Sequence, residues 1–201
     1  MISETTMARW RWSMIAPGYD LVVSFARQRR RALRQLELQA GERLLIPGCG
    51  TGLDLEYVPP GVEVVAIDLT PAMIARARRR AGTGVVCRLG DAQRLDEPDA
   101  SFDAVVLHLI LAIVPDPAAV LAEAWRVLRP GGRISVFDKF LPDGAVPSWP
   151  RRLANVVTRT VATHINRRLA DILDASATPL RVEWTEHAGW GGFLRIALLR
   201  E

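Results

Sequence analysis

The stretch Leu44–Asp54, LLIPGCGTGLD, constrains the fold of this chain more than any other. Leu44–Ile46 is a short apolar run ended by Pro47, the pattern of a strand buried on both faces of a parallel sheet. Gly48, Gly50 and Gly52 then fall on alternate positions, which allows a sharp turn and lets backbone lie close against a ligand. Twenty positions after Gly48, Asp68 ends a second apolar run, Val62–Ile67. A strand, a glycine turn, a helix and a second strand ending in an acid make a nucleoside-binding unit, the acid facing ribose hydroxyls. A dinucleotide fingerprint needs a glycine three positions after its second glycine; that position is Leu53, so NAD and FAD fit poorly. No Gly-Lys-Ser/Thr follows, which excludes a P-loop.

The rest of the chain repeats the alternation of strand and helix. Arg43–Ile46 predicts strand one, Leu53–Tyr57 a short helix stopped by Pro59-Pro60, and Val62–Ile67 strand two. Thr70-Pro71 opens a helix to about Arg80. Val85–Arg88 is strand three, followed by Gly90-Asp91-Ala92, and Phe102–Leu107 is strand four. Asp116-Pro117 starts a helix through Leu128, and Arg129-Pro130-Gly131-Gly132 is expected to turn into strand five, Arg133–Phe137. After a proline-marked loop, Arg151–Ala175 reads as one or two helices. Val182–Glu186 and Phe193–Leu199 then read as a hairpin around His187–Gly192. The expected class is α/β: a doubly wound, Rossmann-like, seven-stranded sheet, mostly parallel with one antiparallel strand, plus N-terminal helices. Ligands in such sheets bind over the carboxyl ends of the strands.

Composition sets the limits. A chain of 201 residues, 49% hydrophobic and 24% charged, is globular and of single-domain size. Cys49 and Cys87 offer neither a disulfide framework nor zinc spacing, and no metal is expected. Reduced cysteines and an N-terminus with Glu4 and no long apolar core point to a cytoplasmic chain without a signal peptide. The longest apolar stretch, Val105–Val114, falls short of the about 20 residues that span a bilayer. Residues 1–40 read as a helical cap. Its first helix interleaves Trp10 and Trp12 with Arg9 and Arg11, a mixture suited to a bilayer interface or to a flap over the active site.

Laid end to end, the segments GCGTG (Gly48–Gly52), AIDLTPAMIARAR (Ala66–Arg78), GDAQRL (Gly90–Leu95), SFDAVV (Ser101–Val106) and VLRPGGRISV (Val127–Val136) resemble a class I S-adenosylmethionine-dependent methyltransferase. The resemblance makes residues 41–201 the cofactor-binding domain and S-adenosylmethionine (SAM) the cofactor. It implies that Gly48, Gly50 and Gly52 line the methionine part, and that Asp68 accepts from both ribose hydroxyls with Leu69 beside the adenine. Asp91 would accept from the adenine amino group and Ala92 supply an N–H. His108, after strand four, would lie near the transferable methyl. The pattern is broken once: the acidic residue usual two positions before the first glycine is Ile46 here.

Methyl transfer from a sulfonium is an in-line displacement with a good leaving group, so alignment and water exclusion dominate. His108 is the candidate base, and Tyr19 is a second proton acceptor for an amine. The segment MIAPGYD (Met14–Asp20) resembles both the bacterial phosphatidylethanolamine N-methyltransferases and the ubiquinone/menaquinone C-methyltransferases. The basic N-terminal helix and the arginines of Arg151–Arg168 favour the phospholipid branch, with residues 7–34 meeting an anionic membrane surface at the inner face of the membrane. The alternative is a soluble or quinone-like acceptor. Nucleic acid is not expected, since no Asn/Asp-Pro-Pro-aromatic motif follows strand four and no Pro-Cys nucleophile is present.

Overall fold

A computed structural model describes residues 24–141, 166–189 and 193–201. The elements are α1 (Ala26–Arg34), β1 (Arg43–Pro47), a 3-10 helix (Leu53–Tyr57), β2 (Glu63–Asp68), α2 (Pro71–Arg80), β3 (Val85–Leu89) and β4 (Phe102–His108). There follow α3 (Pro117–Val127), β5 (Leu128–Lys139), α4 (Leu169–Ser176), β6 (Arg181–Gly189) and β7 (Leu194–Arg200). The seven strands form one sheet in the order β3-β2-β1-β4-β5-β7-β6. Pairing is parallel from β3 to β5, and β7 runs antiparallel to both of its neighbours. The single reversed strand arises because a hairpin connection can only join antiparallel neighbours.

Helices cover both faces, so β1 is apolar and buried from Leu44 to Pro47 rather than alternating. On one face α1 (Leu33), the 3-10 helix (Leu55, Tyr57) and α2 (Ile74, Ala77) pack on Leu44, Ile46, Val64 and Ala104. On the other, α3 (Val120, Leu121, Ala124) and α4 (Leu169, Ile172) pack on Leu45, Val105, Leu107 and Ile134. Helix α3 starts where sequence signals place it: the Asp116 side chain accepts from the Ala119 N–H at 3.0 Å, with Pro117 in the first turn. No helix among the described residues is long and apolar enough to cross a membrane.

Two expectations need correction. Arg129–Gly132 is not a turn before the fifth strand. It lies inside β5, which runs from Leu128, and the register shifts where Phe102 faces Leu128 and Ala104 faces Arg133. Gly131, at φ +76, absorbs this bulge, a conformation that L side chains rarely adopt. The second concerns the hairpin, whose strand β6 continues to Gly189, beyond the His187 at which the turn was expected. The N-terminal tryptophans and most of Arg151–Arg168 lie outside the described residues.

The chain order changes direction between β1 and its two neighbours, β2 and β4. Loops after the strands diverge there, opening a crevice at their carboxyl ends.

Candidate active site

The crevice at that point is an open cleft of about 930 Å³. Its floor is the turn after β1. A Cβ on Gly48 (φ +70) would stand 2.3 Å from Ile110 Cδ1, so only glycine lets the segment after β4 press down on this turn. The turn is stitched to the end of β2: the Cys49 N–H donates to the Ile67 carbonyl at 2.9 Å and the Gly50 N–H to Asp68 Oδ2 at 2.9 Å. The Thr70 N–H donates to Asp68 Oδ1 at 2.8 Å. Each Asp68 oxygen thus holds one backbone donor and keeps acceptor capacity for a hydroxyl. Burial pushes the Asp68 carboxyl up from its ordinary value, against the opposing pull of these two N–H groups.

Gly48, Gly50, Asp68, Leu69, Asp91, Ala92 and His108 all border this cleft. Asp91 is oriented by its neighbour: its Oδ1 accepts from the Gln93 N–H at 2.9 Å and from Gln93 Nε2 at 3.2 Å. Gly52 is not among the lining residues. Its missing Cβ leaves room for Ala77 Cα, 3.0 Å away, so this glycine serves the packing of the turn on α2. Tyr19 lies outside the described residues.

His108 reaches the cleft wall, but its imidazole is engaged elsewhere. The side chain is fully buried, with Nδ1 2.7 Å from Asp54 Oδ1 and Nε2 3.0 Å from Ser135 Oγ. Ser135 Oγ lies 3.2 Å from the Ala32 carbonyl, and Arg29 donates to the second oxygen of Asp54 while its Nε holds the Ser24 carbonyl at 3.0 Å. Arg29, Asp54, His108 and Ser135 form one buried polar chain linking α1, the 3-10 helix, β4 and β5. Burial alone would push Asp54 up; the nearby His108 and Arg29, with their hydrogen bonds, outweigh it and hold the carboxyl below its ordinary value. A general base needs a lone pair facing the substrate, and in this structure both ring nitrogens face protein partners. In this structure the expected proton acceptor is held by Asp54 and Ser135.

Sequence reasoning missed Arg29, Asp54 and Ser135. Asp54, flanked by Leu53 and Leu55 in the segment LDLEY, was the one signal available. Ile46, where an acid was expected, is buried in the sheet among Leu33, Leu44 and Leu198. Arg29 also borders the cleft, with its guanidinium paired to Asp54. Among the described residues no cluster of His, Cys, Asp and Glu could hold a metal ion.

A wound parallel sheet with a reversed seventh strand, a glycine turn and an acid ending β2 together define a class of nucleoside-dependent transferases. Residues 45–136 match the family model described as a methyltransferase domain. A demethylmenaquinone methyltransferase of Tropheryma whipplei (strain Twist) is 34% identical over 90% of this chain and 75% of its own. A phosphatidylethanolamine N-methyltransferase of Cereibacter sphaeroides is 38% identical over 57% of this chain and 59% of its own. A solved structure of geranyl diphosphate methyltransferase in complex with SAM shares the fold at a TM-score of 0.71 and 19% identity, covering 86% of this chain and 83% of that one. The chain belongs to the SAM-dependent methyltransferases of class I. The cleft suits that cofactor: Asp68 offers acceptors for two vicinal hydroxyls, and the walls at Leu109, Ile110, Ile113 and Val114 are apolar.

Proposed function

We propose that the chain methylates the headgroup of a membrane-resident lipid, an amine of the phosphatidylethanolamine kind. The observation that carries this reading is the locked imidazole of His108 beside apolar walls. The headgroup ammonium would give up one proton to solvent before it enters, attack as a free amine, and release a second proton to water after the transfer. A phenol or enol carbon would need a base facing the cleft at the moment of transfer, and among the described residues His108 is turned to Asp54 and Ser135 instead. The Cereibacter sphaeroides relative supports the same chemistry.

In this reading Asp68 takes the ribose hydroxyls, Leu69 and Ala92 border the adenine, and Asp91 takes its amino group. Gly48 and Gly50 let backbone approach the methionine part. The bound cofactor supplies an electrophilic methyl on a sulfonium. The protein aligns the acceptor, excludes water through Leu109, Ile110, Ile113 and Val114, and loses no reorganisation energy at the moment of transfer.

A second reading, C-methylation of a quinone ring, is favoured by the demethylmenaquinone methyltransferase relatives, one of which aligns over 90% of the chain. Turnover decides between them. With SAM and mixed vesicles, phosphatidylethanolamine should yield products heavier by one, two or three methyl groups. Methylation of a reduced demethylmenaquinone alone would establish the second reading.

Charge distribution supports a membrane-facing role. Helix α1 carries five arginines and α2 four, with only Asp54 and Glu56 in the 3-10 helix between them. The opposite layer, α3 and α4, has Arg126 against Glu123, Asp171 and Asp174. Arg27, Arg30, Arg34 and Arg79 are exposed on the basic layer. Each basic residue near an anionic surface contributes about 1 kcal/mol. Flotation with phosphatidylglycerol vesicles should therefore show binding that salt reverses and that Arg27→Glu/Arg30→Glu/Arg34→Glu removes. Equal binding to neutral phosphatidylcholine vesicles would contradict the electrostatic role.

A further inference from the structure

Residues 109–115, after β4, make one helical turn in which the Ile113 and Val114 N–H groups donate to the Ile110 carbonyl at 3.0 and 3.1 Å. Leu109, Ile110, Ile113 and Val114 of this turn line the cleft. At one end Ile110 fills the space left by the absent Cβ of Gly48. At the other, the Asp116 N–H donates to Gln93 Oε1 at 2.9 Å, next to Asp91. The turn therefore spans the whole cofactor cleft, from the glycine turn to the loop after β3.

Two charged side chains from distant parts of the chain hold it. Asp138, fully buried in β5, accepts the Ala112 N–H on Oδ2 at 2.9 Å and the Lys139 N–H on Oδ1 at 2.8 Å. Arg167, just before α4, donates through NH1 to the carbonyls of Leu111 and Val114, the latter at 2.8 Å, and through NH2 to that of Pro115 at 3.3 Å. Arg167 is itself fixed, since its carbonyl accepts the Leu141 N–H at 2.8 Å. One carboxylate thus takes an amide of the turn and one guanidinium takes its carbonyls. Such charge-assisted bonds are the strong ones, and a planar guanidinium can reach several acceptors at once where an ammonium cannot.

We propose that Arg167 and Asp138 are positioning residues for the cofactor: they hold the 109–115 turn as a preformed wall, so that binding does not have to order it. The inference rests on SAM occupying this cleft as described above. A wall that is already in place lowers the ordering entropy of binding.

The test is calorimetric SAM binding to Arg167→Ala and Arg167→Lys, with thermal melting and amide hydrogen exchange of the cofactor-free proteins. Arg167→Ala should raise Kd roughly tenfold, the effect of losing charge-assisted hydrogen bonds. It should also speed exchange at Ala112, Ile113 and Val114, and millimolar guanidinium should restore part of the affinity. Arg167→Lys should weaken binding about threefold, because an ammonium replaces fewer of the donors. A folded Arg167→Ala protein with a lower melting temperature but unchanged Kd would overturn the proposal and leave Arg167 a structural residue. If Arg167→Ala does not fold, Arg167→Lys decides by the same measurement: a raised Kd supports the proposal and an unchanged one overturns it. Asp68→Ala serves as control. Binding retained in that variant as well would show that the cofactor lies elsewhere, a failure of the functional reading rather than of the wall.

Discussion

Asp68→Ala is expected to reduce SAM affinity by roughly 100-fold or more, since each of two hydrogen bonds to a charged acceptor contributes about 1.5–3 kcal/mol. The substitution removes both acceptors offered to the ribose and also leaves the N–H groups of Gly50 and Thr70 without their partner. Asp68→Asn preserves shape but turns one acceptor into a donor facing a backbone N–H, so it should be nearly as damaging. Calorimetry gives the answer directly, and an unchanged Kd in Asp68→Ala would reject this placement of the nucleoside. The pH dependence has a definite sign. Burial raises the Asp68 pKa, and the hydroxyls donate to the ionised form. Affinity should be flat above the raised pKa and fall as pH drops through it, starting at a higher pH than an ordinary aspartate would give. The stability contribution of the same group has the opposite sign: a raised carboxyl opposes folding when ionised, and that penalty disappears as pH falls through the folded-state value.

Asp54→Ala should destabilise the protein by about 3–5 kcal/mol, because it leaves a buried guanidinium and a buried imidazole without their shared partner. For a chain of this size the melting temperature should fall by on the order of 10 °C. The side chains of Arg29 and Asp54 are each 5% exposed and that of His108 is fully buried, so water cannot replace the missing carboxylate. A double substitution, Arg29→Met with Asp54→Leu, should be less damaging than Asp54→Ala alone, since it removes the uncompensated charge with its partner. Ser135→Ala should cost less, about 1–3 kcal/mol, the loss of neutral hydrogen bonds to His108 Nε2 and to the Ala32 carbonyl. The pair also has a pH signature. The Asp54 carboxyl is held below its ordinary value, so its contribution is complete above the unfolded-state pKa of about 3.9 and is lost as pH falls through the lower folded-state value. Thermal melts of these variants between neutral and acid pH would test both points. A Asp54→Ala protein as stable as the parent would mean that Arg29 and His108 find water or new partners.

The parts of the fold that sequence patterns revealed were those with local causes. Apolar runs marked β1, β2 and β4 to within a residue or two, the first two bounded by proline or glycine, and Asp116-Pro117 marked the start of α3. The bulge inside β5 escaped detection because Arg-Pro-Gly-Gly carries the same local signal whether the chain turns or bulges. Only pairing with Phe102 and Ala104 separates the two cases. Gly52 illustrates the same limit within the site. Its place in the glycine pattern suggested ligand contact, but the packing of Ala77 accounts for it.

Read alone, the sequence determined the order of elements, the nucleoside-binding turn and the acid of β2, because each depends on residues within a few positions of one another. Tertiary structure decided the fate of the buried polar groups. Asp54 lies 25 positions from Arg29 and 54 from His108, and Arg167 lies 53 from Val114. No periodicity relates such residues. They meet only because parallel crossovers bring the carboxyl ends of β1, β4 and β5 side by side, where a buried charge must find a partner. That requirement took the imidazole of His108 for the interior and left the cleft to apolar walls and the carboxylate of Asp68.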